Sequence, residues 1–216
     1  MRGELKSGEF RPLAVRERLI PQRDGRMRRL GIPALKDRVV HMALKLVMEP
    51  IFETDFYPSS YGYRPGRRAQ DAIAEIHRFT SNPSNYEWVV EANIEACLDR
   101  IDHAQLLGEV RRRIEDRRVL ALVRAFLKAG VMRESGRLER TVTGTPQGGI
   151  VSPLLANIAL TALDRYYHAD WQRMCYRGAQ ISTPWNEDIV DPTGSRYRRT
   201  SHDDPRFLEE VQQVLA

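Results

Sequence analysis

The stretch WVVEANIEACLDRIDH, residues Trp88–His103, decides how this chain is expected to fold, because two different periodicities meet inside it. Its first half is rich in β-forming residues and predicts a buried strand over Tyr86–Ile94. Its second half repeats apolar residues at the three-to-four spacing of a helix face. The junction of a strand and a helix is a common place for a catalytic site, yet the residue there is the neutral Asn93, between Glu91 and Glu95.

The composition places the chain among globular proteins, since 216 residues with 42% hydrophobic content can bury one good core or two lobes. No apolar run approaches the roughly 18 residues of a membrane span, and Met1–Lys6 has no apolar signal core. Cys97 and Cys175 are too few for a disulfide framework or a thiolate metal site. We therefore expect a cytoplasmic protein without membrane contacts.

The positive charge is concentrated near the N-terminus. Residues 1–45 contain 12 Lys or Arg and 5 Asp or Glu, whereas the remainder contains 22 and 24. Most of the basic residues are arginines, whose planar guanidinium suits phosphate oxygens. For a single arginine an ordinary solvated surface is the better interpretation, but the block Arg23–Arg29 beside a glycine turn indicates nucleic-acid binding.

Turn and helix signals divide the rest of the chain. The turn Arg23–Arg26 between two apolar segments predicts a hairpin, and Asp37 is expected to cap a helix that Pro50 ends. The mixed-sign run Arg111–Arg118 is interpreted as a solvated helix face. Further helices are predicted over Ala69–Phe79, over Ala104–Ala129 and from Ser152 onward, with shaped loops at Ser59–Gly66 and Thr143–Gly149.

Four segments carry a family resemblance, and they read LIPQRDGRMRRLGIPALKDRVV, EPIFETDFYPSSYGYRPGRR, WVVEANIEACLDRIDH and GTPQGGIVSPLLANIAL. In order and approximate spacing, from about Arg11 to Trp171, the chain resembles reverse transcriptases encoded by bacterial group II introns. The resemblance implies a helix-rich α+β right-hand polymerase fold. Residues 1–85 would form a fingers-like region and residues 86–174 a partial palm with a helical fingers insertion. Residues 175–216 are expected to be a divergent tail without a thumb, which leaves the fold incomplete at its C-terminus.

The resemblance also implies a two-metal site. Family members hold two Mg²⁺ ions with an aspartate at the first palm strand and two aspartates in a Tyr-x-Asp-Asp hairpin, and the first position corresponds to Asn93 here. The backbone carbonyl of Ile94 matches a neighbouring ligand, whereas Glu91 lies about 6–7 Å further along a strand, too far to substitute. Ser201–Asp204 is the nearest candidate for the hairpin, but Pro205 follows it, which favours a helix N-cap. We assign no metal ligand, and Mg²⁺ is doubtful in this chain.

The remaining site residues are carried over from the family in the same way. Gln22 stands where the family has a triphosphate-binding lysine, Arg28 matches its partner arginine, and Leu98 replaces an aromatic residue that stacks on the incoming sugar. Gln147 matches a nucleotide-pocket glutamine, although a turn residue that caps its own loop is an alternative. The arginines expected to contact RNA are Arg26, Arg29, Arg64, Arg67 and Arg68.

Three functions stay open. By family, the chain is an RNA-directed DNA polymerase that uses an RNA template, a DNA primer and Mg²⁺. Alternatively, it is a non-catalytic RNA-binding or intron-splicing cofactor, or one part of a split polymerase that another polypeptide completes. Because the aspartate, the hairpin and the lysine are all replaced, we predict a chain that binds RNA without polymerising.

Overall fold

The computed structural model divides the chain into two compact units. Of the residues that it describes, the first unit contains 1–56 and 95–159, and the second contains 57–94 and those from 160 onward. No helix in the described ranges combines the length and the apolar character that crossing a bilayer requires. The described residues are 1–23, 25–81, 91, 93–145, 148–176, 189–190 and 196–197.

A four-stranded sheet in the first unit contains the predicted hairpin, which the structure confirms. Strands β1 and β2 are antiparallel, with Arg16 opposite Ile32 and Pro21 opposite Met27. A short strand, β3, then pairs parallel to β1 through Val15 and Val131, and β4 closes the sheet in the order β2-β1-β3-β4. The strands are β1 (Val15–Pro21), β2 (Met27–Ile32), β3 (Val131–Met132) and β4 (Leu138–Glu139).

Helix α2, Leu35–Glu53, corrects the expectation that Asp37 caps a helix. The N-cap is Ala34, and Asp37 lies in the first turn, where its carboxylate accepts a hydrogen bond from the Leu13 backbone at 3.0 Å. Asp37 is only 1% exposed, and this burial raises its pKa. Asp37 therefore fixes the segment before β1 onto α2. The sequence pattern around Asp37 does not reveal this contact, because its partner lies 24 residues away.

Pro50 does not end α2, as the sequence predicted, because it lies inside the helix. Proline cannot donate to the carbonyl four residues earlier, but the side chain of Leu46 there is 65% exposed, so this turn of the helix faces water. The opposite face enters the core of the first unit. Its buried residues after the first turn are Val40, His41, Leu44, Met48 and Phe52.

The long helix predicted over Ala104–Ala129 is two helices, α5 (His103–Arg111) and α6 (Arg117–Leu127). The carboxylate of Asp116 accepts the backbone N–H groups of Arg118 at 2.7 Å and Val119 at 3.3 Å, so it caps the second helix. Within the connecting turn, Ile114 is 6% exposed and joins the core. The N-cap Asp116 and the buried Ile114 thus divide a segment whose apolar residues follow one continuous helical spacing in the sequence.

The other elements agree with the remaining predictions where the structure describes them. The helix expected over Ala69–Phe79 is confirmed, and so is the one that begins at Ser152. Of the strand predicted over Tyr86–Ile94, residues 82–90 and 92 lie outside the described residues, and Glu91, Asn93 and Ile94 are not in a strand. These elements are α1 (Arg2–Ser7), α3 (Ala69–Thr80), α4 (Cys97–Arg100), α7 (Ser152–Tyr176), β5 (Ile189–Val190) and β6 (Arg196–Tyr197).

Candidate nucleic-acid interface

One face of the β1–β2 hairpin carries three exposed arginines. Residues directly opposite each other in an antiparallel pair share a face, and side chains alternate along each strand. The register Arg18 opposite Leu30 and Ile20 opposite Arg28 therefore places Arg16, Arg18 and Arg28 on the same face. Arg18 approaches Glu134 at 3.5 Å, whereas within the described ranges no carboxylate pairs with Arg16 or Arg28. This face can accept an anion.

The turn of the hairpin extends this positive surface. The backbone N–H of Gln22 donates to the Arg26 carbonyl at 2.8 Å, and that of Gly25 donates to the Gln22 carbonyl at 3.1 Å. Gly25 has a φ of 79°, which a glycine adopts without strain. Gln22, Arg23 and Arg26 are exposed. Gln22, which was predicted to replace the lysine of the family, therefore presents a neutral amide beside charged neighbours.

The opposite face of the hairpin is neutralised. Arg29 lies 3.8 Å from the carboxylate of Glu17, and Arg133 bonds both Glu17 and Glu139, the latter at 2.5 Å. The Arg133 guanidinium holds the pKa of the Glu139 carboxyl below its ordinary value. The charge of Arg29 is thus partly neutralised by the Glu17 carboxylate. Arg28 is therefore the better placed of the two adjacent arginines for binding an anion.

In the second unit, the arginines predicted to contact RNA also support their own loop. Arg64 is 8% exposed, and its guanidinium donates to the carbonyls of Tyr57 at 2.7 Å and Ser60 at 2.8 Å. Arg67 donates to the Pro58 carbonyl at 2.7 Å and lies over a tyrosine ring. Arg68 pairs with Asp71 at 3.1 Å at the start of α3. Their contact with RNA stays a prediction, with Arg67 and Arg68 the more accessible candidates.

Asn93 and Ile94 were predicted to stand at the metal-ligand positions of the family, and neither residue lies in regular secondary structure. The Asn93 side chain is exposed and supplies a neutral amide oxygen where two divalent cations would require carboxylates. In the part of the chain that the structure describes, no three His, Cys, Asp or Glu side chains converge. This donor set does not fit a pair of Mg²⁺ ions. Ser201–Asp204 and Gln147 lie outside the described residues.

The loop that leads toward Gln147 is fixed against the segment around Leu98. The backbone N–H of Thr145 donates to the Leu98 carbonyl, and that of Gly144 donates to the Ile101 carbonyl, both at 2.7 Å. His103, which is 7% exposed, donates from Nε2 to the Gly144 carbonyl at 2.7 Å. The acceptor lies 41 residues away along the chain, so the sequence around His103 does not reveal this hydrogen bond.

A second close approach brings this loop to the hairpin. A Cβ on Gly148, whose φ is +111°, would lie 2.5 Å from the backbone oxygen of Gly31 in β2. Real Cβ atoms essentially never come so close, so glycine is required here for spacing as well as for conformation. The polar loop and the arginine-rich hairpin are therefore neighbours in the first unit.

Several known proteins are similar to this chain in sequence. The family described as reverse transcriptase (RNA-dependent DNA polymerase) matches residues 20–181. Protein YkfC of Escherichia coli is 41% identical over 170 residues, covering 78% of this chain and 44% of that protein. The group II intron-encoded protein LtrA of Lactococcus lactis is 40% identical over 163 residues, covering 75% and 26%. Nuclear intron maturase 1, mitochondrial, of Arabidopsis thaliana is 35% identical over 210 residues, covering 74% and 29%. The chain spans less than half the length of each.

Proposed function

This chain belongs to the group II intron reverse transcriptase and maturase family, and from that premise we propose that it binds RNA without polymerising DNA by itself. The observation that supports RNA binding is the exposed face of Arg16, Arg18 and Arg28 on the β1–β2 hairpin. Arginines on a rigid two-stranded ribbon can contact successive phosphates of an RNA backbone. Arg23 and Arg26 at the turn extend the same surface.

The proposal that the chain is inactive by itself depends on its ligand chemistry. In-line phosphoryl transfer at a two-metal site requires carboxylates that hold both cations close together. The exposed amide of Asn93 carries no charge, and the described residues offer no cluster of carboxylates in its place. We therefore derive no catalytic step through Mg²⁺ for this chain, and a DNA primer is at most a bound partner.

The test of RNA binding is affinity as a function of salt. Replacing Arg16, Arg18 and Arg28 together with alanine should weaken binding and lower the slope of log affinity against log salt by about 2, since each lost phosphate contact contributes about 0.7 to 0.9. Fluorescence anisotropy with a labelled RNA oligonucleotide measures both quantities. The hairpin is exposed on this face, so the melting temperature should change little.

The matched control removes three exposed arginines that already have carboxylate partners. Arg78, Arg100 and Arg112 pair with glutamates at 2.5, 3.7 and 3.3 Å. Their triple replacement with alanine changes the net charge by the same amount but should leave RNA affinity within about twofold. If both triple variants bind equally well, or if the affinity of the native chain does not depend on salt, the hairpin is not the RNA-binding surface.

A second proposal is that another polypeptide completes the polymerase. It would account for the neutral amide at position 93, because a partner could supply the carboxylates that the described residues of this chain do not bring together. In that case the chain would supply the RNA-binding part, and its partner would supply a palm and thumb.

A further inference from the structure

A depression of about 540 Å³ lies at the corner between helices α5 and α6, and no residue of the hairpin lines it. Three exposed arginines line it, one at the end of α5 and two on α6, and its floor is apolar. The lining includes Arg111, Arg117 and Arg124, with Leu107 and Leu120 among the apolar residues. The depression therefore combines positive charge with apolar side chains.

Carboxylates divide the arginines of this corner into two groups. Arg112 pairs with Glu109 at 3.3 Å, Arg113 with Asp55 at 2.9 Å, and Arg118 with Asp116 at 3.1 Å. Arg111, Arg117 and Arg124 have no carboxylate within ion-pair distance among the residues that the structure describes. The arginines that line the depression are therefore the ones whose charge is not neutralised nearby.

The break between the helices produces this grouping. Arg117 and Arg124 are seven residues apart on α6, so they lie on the same side of the helix, two turns from each other. Arg111 ends α5 next to the turn and lines the same depression. Glu115 also lines it, which leaves three cations and one anion at the rim. In one continuous helix, as the sequence predicted, Arg111 and Arg117 would lie on different faces.

We propose that this depression is a second RNA-binding site, which holds a backbone phosphate with Arg111, Arg117 and Arg124 and places a nucleotide against the apolar floor. A guanidinium donates two parallel hydrogen bonds to phosphate oxygens, and its planar face also stacks on a base. An apolar floor next to such groups suits an unpaired nucleotide, because a base has an apolar face that gains from leaving water. This inference rests on the proposed function and adds a contact surface distinct from the hairpin.

The experiment compares two double variants that change the net charge equally. Arg117→Gln with Arg124→Gln removes two unpaired arginines of the depression, whereas Arg112→Gln with Arg118→Gln removes two neutralised ones from the same corner. We expect the first pair to weaken RNA binding about tenfold and to lower the salt slope by about 1 to 2. The second pair should bind within about twofold of the native chain. Circular dichroism and thermal melting confirm that both variants are folded.

The outcomes separate this inference from the proposed function. If the hairpin triple variant loses RNA affinity while the two double variants bind equally, RNA binding stands and the second site is wrong. If the Arg117 and Arg124 variant loses affinity and its control does not, the second site stands whatever the hairpin variant does.

A native chain that binds no RNA overturns the proposed function and the RNA part of this inference. Sodium tripolyphosphate then tests whether the depression binds phosphate at all. A phosphate site remains if tripolyphosphate raises the melting temperature of the native chain and of the Arg112 and Arg118 variant but not of the Arg117 and Arg124 variant. Equal shifts in all three proteins, or no shift in any, overturn the site completely.

Discussion

His41 is a buried imidazole that packs against an aromatic ring in the first unit. It is 3% exposed, and its ring centre lies 4.1 Å from that of Phe126. Its Nδ1 has no hydrogen-bond partner among the described residues, and burial lowers the pKa of the imidazole to about 4. A lone histidine is more often a packing or surface residue than a ligand, and His41 packs in the core.

This burial predicts a loss of stability in mild acid. Between pH 6.5 and about 4 the unfolded chain binds a proton at His41 that the folded chain excludes, so the free energy of unfolding falls as pH falls through that window. The contribution of His41 should be roughly 2 to 3 kcal/mol at pH 4. His41→Phe keeps an aromatic ring against Phe126 and should remove this component in urea titrations at pH 7 and pH 4.5. An unchanged pH dependence in that variant would contradict the assignment.

At the scale of elements, the loop at Gly144 packs tightly against helix α4 in the first unit. A Cβ on Gly144 would lie 2.5 Å from the backbone oxygen of Asp99 in α4, and the φ of Gly144 is +79°. Gly136 in the β3–β4 turn has a φ of +81° but open space around it. Gly136→Ala should therefore cost about 1 to 2 kcal/mol for the left-handed backbone alone, whereas Gly144→Ala should cost at least about 2 kcal/mol more.

Urea denaturation of both alanine variants measures that difference directly. Equal losses would mean that the backbone next to Asp99 can move aside at little cost. A larger loss in Gly144→Ala would show that the loop and α4 are held in one arrangement.

Elements defined by local patterns were predictable, and those defined by distant contacts were not. The β1–β2 hairpin and the start of α7 follow from turn residues and from a Ser-Pro start, so the sequence predicted them. The role of Asp37 at the start of α2 depends on a distant partner, the backbone of Leu13. The break after α5 depends on Ile114, which packs into the core. The same distinction applies to the site, because exposed arginines are visible in the sequence but the carboxylates that neutralise some of them are not.

For the whole molecule, the proposed inactivity predicts no template-dependent incorporation of labelled nucleotide by the native chain with Mg²⁺. Asn93→Asp alone should also be inactive, since one carboxylate cannot hold two divalent cations close together. A lost charge beside a divalent cation costs several kcal/mol, which is about two or more orders of magnitude in rate. Incorporation by purified protein measures this, and a variant with Asp203→Ala and Asp204→Ala controls for contaminating polymerase.

Activity in the native chain that disappears in that double variant would make Ser201–Asp204 a working metal site and would show that our interpretation of Asn93 is wrong. A separately produced palm and thumb fragment from a relative tests the split-polymerase proposal. If another chain completes the enzyme, the mixture should incorporate nucleotide with Asn93→Asp. The mixture with the native chain then shows whether the neutral residue at position 93 permits catalysis.

The parallel pairing of β1 with β3 has a consequence for the order in which the protein folds during synthesis. Val15 pairs with Val131 and Arg16 with Met132, so 116 residues must be made after Val15 before β3 can cover the second edge of β1 at these two positions. At ribosomal rates this takes roughly 6 to 23 seconds, and during that time the hairpin is a two-stranded ribbon that is at best marginally stable in isolation. Its open edge can pair with other nascent chains in that interval. The exposed arginines on the ribbon would then also protect the nascent chain from aggregation. Repulsion between two positively charged ribbons opposes such pairing until β3 has been synthesised and pairs with β1.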